Sequence, residues 1–261
     1  CQFCTDLPQT ILDAQAIILP MAGTDFERRI ITPLSKKKLE LTEQIFQSIP
    51  QQVPIFLGVA KPFLREWARF YQKKLIEIAE LDEIAIPNSI PTAEACLQIA
   101  MEKLPITIHG SNTIVLGFGR CGKTLSRMLH AIGAKTTVIA RKAKDLARIK
   151  EMGLSAGTFD QLNEILPHAD LIINTIPIQI LTEERLVFVK KDALIIDIAT
   201  APGGTNFQAA ERLGLNAILT PSLPGLVAPK TAGLILAEAL PQLILAEISL
   251  PSSKMVGGKI S

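Results

Sequence analysis

Short apolar runs alternate with longer amphipathic stretches along almost the whole chain. QAIILP (15–20), VPIFLGV (53–59) and LIEIA (75–79) are short, strongly apolar runs, which predict buried strands. Residues 39–46 and 62–70 predict helices, the second with proline at its first position, where the missing N–H costs little. Residues 1–90 are therefore expected to form a small α/β domain. From Pro91 the period changes: Ala93, Cys96, Leu97, Ala100 and Met101 recur at helical spacing, which predicts an interdomain helix over 91–105. Alternation resumes with 113–116, 136–140, 170–176, 193–199 and 216–219, giving at least five strands and a second domain over 106–250. PSSKMVGGKIS (251–261) lacks a core pattern and is expected to be a flexible tail. Strands alternating with helices in this way predict an α/β fold: two Rossmann-like domains with parallel sheets.

Size agrees with two domains, because 261 residues with 48% apolar content can bury more than one core. The 27 basic and 25 acidic side chains are mixed along the sequence and leave a net charge of +2, so no strong field points to nucleic acid or an anionic membrane. Small ligands are the expected partners. Four scattered cysteines (Cys1, Cys4, Cys96, Cys121) make no disulfide framework and fit a reducing cytoplasm. Cys1-x-x-Cys4 has no second pair and no nearby histidine, so no metal site is expected. The most apolar long window, 231–250, contains Glu238, Pro241 and Glu247, which a membrane-spanning helix would not readily carry. Asp6 and Pro8 interrupt any signal peptide at the start, and the absence of an initiator methionine predicts a chain that begins inside a longer protein.

Gly117-x-Gly119-x-x-Gly122 follows the first strand of the second domain and opens a helix whose inner face is Leu125, Met128, Leu129 and Ile132. In that setting Gly117 permits the tight turn, Gly119 leaves room for a pyrophosphate, and Gly122 lets helix and sheet pack closely; the helix start offers N–H groups to phosphate. A dinucleotide site is expected. Its type is read from the end of the next strand, where an acidic residue would bind the ribose hydroxyls of NAD. Here the strand ends in Ala140-Arg141-Lys142, with Lys144 beyond. A guanidinium can meet a phosphate through two bonds and stack on adenine, so NADP is the expected cofactor. Arg120 and Cys121 in the turn, and Thr175, Ile176, Pro177, Ala199 and Leu223 after later strands, complete the candidate cofactor contacts.

Candidate substrate contacts lie in two segments. Three prolines and a glycine stiffen the loop before Lys230 and Thr231, placing Lys230 at a helix start where its cation suits a carboxylate. Asn88, Ser89 and Thr92 flank Pro87 and Pro91 between the domains; helix capping by Ser89 or Thr92 is the alternative. Asp197 is expected to cap a loop rather than orient substrate. His130 and His168 read as structural, while His109 would have to reach the site from the wrong end of its strand.

The blocks IPNSIPTAEA (86–95), ITIHGSNTIVLGFGRCGKTL (106–125), ARKAKDLARIKEMGL (140–154), INTIP (173–177), APGGTNF (201–207) and LPGLVAPKTAG (223–233) resemble the family of the dipicolinate synthase A subunit, over about 13–245. The resemblance implies NADP-linked oxidation of a dihydro- or hydroxytetrahydro-dipicolinate to pyridine-2,6-dicarboxylate during sporulation. It also implies work alongside a flavoprotein-like B subunit in the cytoplasm of the mother cell, and leaves a homo-oligomer open. Members of the family begin with a further β-α-β segment carrying a Gly-Gly-Asp turn, so the amino-terminal domain is expected to be incomplete here. Pro241 is expected to interrupt the final helix. Two alternatives stand beside this reading. One is a nucleotide-binding accessory protein without catalysis of its own. The other is a hydroxyacid or methylenetetrahydrofolate type dehydrogenase; the hydroxyacid enzymes usually need an arginine and a histidine–carboxylate pair that are not apparent here.

Overall fold

A computed structural model describes residues 10–11, 13–32, 38–220 and 222–249. Cys1-x-x-Cys4 and the expected tail over 251–261 lie outside the described residues. Two compact units are present: one takes the described residues up to Ala85 and from Ile235 onward, the other Ile86–Leu234.

The first unit contains β1 (Ile17–Ile18), α1 (Glu43–Ser48), β2 (Ile55–Leu57), α2 (Pro62–Phe70) and β3 (Leu75–Glu77). Its strands are parallel in the order β1-β2-β3, with Ile17 opposite Ile55 and Ile55 opposite Leu75. Side chains alternate across β2: Ile55 and Leu57 join a core with Phe46, Leu64 and Trp67, while Phe56 joins Ile78 and Ile84. The helix expected over 39–46 starts later, because the Thr42 hydroxyl caps the N–H of Ile45 (3.3 Å) and Leu41 is left in the core.

Next come α3 (Asp82–Lys103), β4 (Asn112–Leu116), α4 (Arg120–Ala131), β5 (Lys135–Ile139), α5 (Ala143–Glu151) and β6 (Ser155–Gly157). They are followed by α6 (Leu162–Ile165), β7 (Leu171–Asn174), α7 (Glu183–Leu186), β8 (Leu194–Asp197), α8 (Phe207–Arg212), β9 (Asn216–Leu219), α9 (Leu223–Val227) and α10 (Pro229–Ile248). The second unit carries six parallel strands in the order β6-β5-β4-β7-β8-β9, which reverses direction between β4 and β7. Alternate residues again serve two cores: Val115, Val138, Ile173 and Ile196 meet Leu125 and Leu129, while Ile114, Ile139, Ile172 and Ile195 meet Leu162, Leu186 and Ala210. Ligands in such sheets bind outside the carboxyl ends of the strands at the reversal, which is where the glycine turn lies.

Three expectations about the helices need correction. The helix expected to open at Pro91 begins at Asp82 and runs through Pro87 and Pro91. Residues from Ile235 onward, expected to belong with the nucleotide-binding domain, cluster with the first unit instead. Their helix is not interrupted at Pro241 either: Ile235, Leu236, Ala239, Leu240, Leu243 and Ile244 pack against Phe56, Ile78 and Ile84. Pro241 itself lies on the exposed side, where the lost hydrogen bond is outweighed by that packing. This helix is long and apolar enough to cross a membrane by length and composition; one face packs on Phe56, Ile78 and Ile84, while Leu234, Leu245 and Ile248 stay exposed.

Candidate nucleotide-binding site

The glycine turn is shaped from below by the chain and left open above. At Gly117, φ is +99°, a region that favours glycine, and an added methyl would lie 2.4 Å from the Thr175 hydroxyl oxygen. Thr175 is fixed there by donating to the carbonyl of Leu116 (2.8 Å). A methyl at Gly122 would lie 2.2 Å from the carbonyl oxygen of Gly117, so helix and turn touch backbone to backbone. Gly119 is different: it is exposed, and a methyl on it would meet nothing within 4 Å. Gly119 is also the N-cap of α4 and supplies no capping side chain. A helix start whose N-cap position is open and carries no side chain is suited to an anion, so the residues present fit a dinucleotide diphosphate.

Strand ends beside the turn are held by side chains bonding to backbone. Asn174 is buried; its amide donates to the carbonyl of Ile176 (3.0 Å) and accepts from the N–H of the same residue (3.2 Å). Asp197, also buried, accepts from the N–H groups of Ala199 (3.1 Å) and Gly204 (2.8 Å) and from the Thr205 hydroxyl (2.7 Å). Its carboxylate is thus committed to shaping the loop after β8, as the capping reading expected. Ile176 is half-buried and packs on Gly117, and Pro177 is exposed just beyond it. Ala199 is buried. Leu223, expected among the cofactor contacts, points into the core instead, so only its backbone is available to a ligand.

Arg141, Lys142 and Lys144 are exposed immediately after β5, and no ion pair or hydrogen bond engages them among the described residues. Burial pushes the Cys121 thiol up, with Arg120 pulling the other way, and burial with the neighbouring Cys121 pushes Cys96 to about 12. Both thiols are protonated at neutral pH, so the turn carries no thiolate nucleophile.

The candidate substrate residues divide. Ser89 is buried; its hydroxyl donates to the carbonyl of Ile86 (2.6 Å) and is 2.6 Å from the hydroxyl of Thr124 on α4. Thr92 donates to the carbonyl of Asn88 (2.7 Å). Both residues lie inside α3, so neither caps a helix start, and their hydroxyl hydrogens are directed to partners within the chain. Asn88 keeps a buried side-chain carbonyl oxygen with no hydrogen-bond partner among the described residues. Lys230 is exposed at the second position of α10, and nothing among the described residues engages its ammonium. His109 packs against Gly133 beyond the start of β4, at the end of the strand remote from the turn. His168 lies just before the start of β7, again at the remote end. The Ser89–Thr124 and Asp197–Thr205 contacts were not anticipated; the first joins residues 35 apart, for which no local sequence signal exists.

Comparison with known proteins agrees with this geometry. Residues 1–79 match the family described as the N-terminal domain of the dipicolinate synthase A subunit. Residues 94–204 match D-isomer specific 2-hydroxyacid dehydrogenase, NAD binding domain. The dipicolinate synthase A subunit of Bacillus subtilis is 43% identical over 239 residues, covering 92% of this chain and 80% of that protein. Crystal structures of the dipicolinate synthase A subunit from Bacillus halodurans (39% identity, TM-score 0.86, 92% of this chain and 81% of that one) and from Bacillus subtilis (43%, 0.85, 91% and 80%) share the fold. The second unit is the nicotinamide-nucleotide-binding domain of an oxidoreductase, and the chain belongs to the family of the dipicolinate synthase A subunit.

Proposed function

We propose that this chain oxidises a partly reduced pyridine-2,6-dicarboxylate, the dihydro form or its hydroxytetrahydro precursor, to dipicolinate, with NADP+ rather than NAD+ as acceptor. Two observations together carry the reading: 43% identity to a component of dipicolinate synthase over 92% of the chain, and an open glycine turn with three cations after the neighbouring strand that have no partner among the described residues. NADP+ when bound supplies the acceptor for a hydride. The start of α4 holds the diphosphate, and Arg141 and Lys142 pair with the phosphate on the adenosine ribose. Lys230 meets a substrate carboxylate. Asn88 offers its unpartnered carbonyl oxygen to a donor on the ligand, whose bond would remove the cost of a buried, unsatisfied acceptor. A ring C–H leaves with both electrons of its bond and a proton is released as the aromatic sextet forms, so positioning and exclusion of water matter more than a strong acid or base. From the hydroxytetrahydro form, loss of water must accompany this step.

The relatives are named as one component of a synthase, which supports work with a second polypeptide; we assign that role to the flavoprotein-like B subunit, in the cytoplasm of a sporulating mother cell. Purified chain mixed with NADP+ and freshly generated dihydrodipicolinate tests the reading through the near-ultraviolet absorbance of NADPH. Reduction without a partner is the expected result. Reduction only once the B subunit is supplied would make this chain the nucleotide-binding accessory instead.

A further inference from the structure

The first unit exposes an aromatic ridge that its own core does not use. Phe70, at the end of α2, is 78% exposed. The ring is held in place by Tyr71 in an edge-on contact (centroids 4.9 Å apart, 87° between planes), and the Tyr71 hydroxyl donates to Glu43 (2.9 Å). An exposed ring fixed in this way loses little further freedom on association, which is the property of an interface anchor. Beside it lies an open groove of about 570 Å³ lined by Glu43, Glu66, Trp67, Arg69 and Phe70, room enough for an aromatic side chain.

Charge selects the occupant. Glu66 and Arg69 are both exposed, stand one helical turn apart on α2, and have no ion-pair or hydrogen-bond partner among the described residues. A two-fold axis across α2 would bring an antiparallel copy of the helix alongside, and would set Glu66 of each copy against Arg69 of the other and each Phe70 towards the other copy's groove. A surface that complements itself under two-fold rotation is the requirement of an isologous dimer. We infer that this face of α2 pairs two copies of the chain. One short helix and its flanking aromatics bury less than the roughly 1,200 Å² of the smaller stable interfaces, so the dimer is weak and concentration-dependent.

Sedimentation velocity on the full chain, followed up to the solubility limit, tests this. The parent is expected to pass from monomer to dimer, while Glu66→Arg and Arg69→Glu each stay monomeric at concentrations where the parent is dimeric. An equal mixture of the two single variants is expected to recover a dimer, since the arginine pair of one variant then faces the glutamate pair of the other. Both side chains are exposed and unpaired, so thermal melting should match the parent and exclude misfolding. A parent that remains monomeric overturns the proposal. So do single variants that dimerise as the parent does, or a mixture that fails to associate.

Discussion

Two strand–turn–helix junctions of similar outline have opposite surroundings. In the first unit β2 passes through Gly58 into α2; in the second, β4 passes through Gly117 to Gly122 into α4. A methyl at Gly58 would lie 2.0 Å from the carbonyl oxygen of Met21, so that turn is closed by backbone. The N–H of Ala60 beside it is bonded to the Glu77 carboxylate (2.8 Å), which Arg65 grips through two contacts of 2.7 Å. That junction has its own anion, built into the chain. At the other, Gly119 faces open space and caps the helix with no side chain, and Arg141, Lys142 and Lys144 after β5 have no partner among the described residues. A glycine turn before a helix is therefore a binding site only where the fold leaves its donors unanswered.

The largest effects should come from filling the closed positions. Gly58→Ala and Gly122→Ala each force a methyl against a backbone oxygen that cannot retreat, and each is expected to cost roughly 2–4 kcal/mol in urea denaturation. Gly122→Ala should also abolish nucleotide binding. Gly119→Ala is the contrasting case: its φ of −81° is accessible to alanine and the added methyl meets nothing, so stability should match the parent. Nucleotide affinity should nevertheless fall about tenfold, a loss of about 1.4 kcal/mol, because the methyl stands where the diphosphate must approach. Unaltered nucleotide binding by Gly119→Ala would mean that the turn is open to solvent but not a contact.

A smaller effect separates the two nucleotides. Arg141→Ala is expected to weaken NADPH binding by about 1–3 kcal/mol, the scale of a charge-assisted contact, and to leave NADH binding nearly unaltered. Competitive titration of the two in parent and variant reads this directly. Equal affinity of the parent for both would remove the basic pair from the site and leave an NAD-type turn.

What could be read in advance was local. The strand ending at Leu116, the three glycines and the inner face of α4 all lie within one short stretch, and each residue type there has a steric reason. The third strand of the nucleotide sheet, β6, escaped because Ser-Ala-Gly has no apolar run; it exists because it pairs with Thr137, Val138 and Ile139. The start of α3 was hidden by Pro87 and Pro91, which argue locally against a helix. Within that turn Ser89 and Thr92 bond back to carbonyls of the same helix, and Ser89 also reaches Thr124, a tertiary contact that spacing does not reveal. The same limit applied to α10, where packing on Phe56, Ile78 and Ile84 outweighs Pro241.

The smallest effect tests the internal anion of the first unit. Bonds from Arg65 hold the Glu77 carboxyl below the usual carboxylate range; burial opposes this, and the N–H of Ala60 adds to it. Because the folded value is depressed, the unfolded chain takes up the proton first as pH falls. The stabilisation is complete above the unfolded value, about 4.3, and is lost as pH falls through the folded one. Arg65 is half exposed, so solvent screening limits the contribution to about 1 kcal/mol. Glu77→Gln keeps an acceptor for Ala60 and removes only the charge, so urea midpoints of parent and variant should differ at neutral pH and converge in acid. A difference that persisted unchanged into acid would show that shape rather than charge closes this junction, and the contrast with the glycine turn of the second unit would then rest on sterics alone.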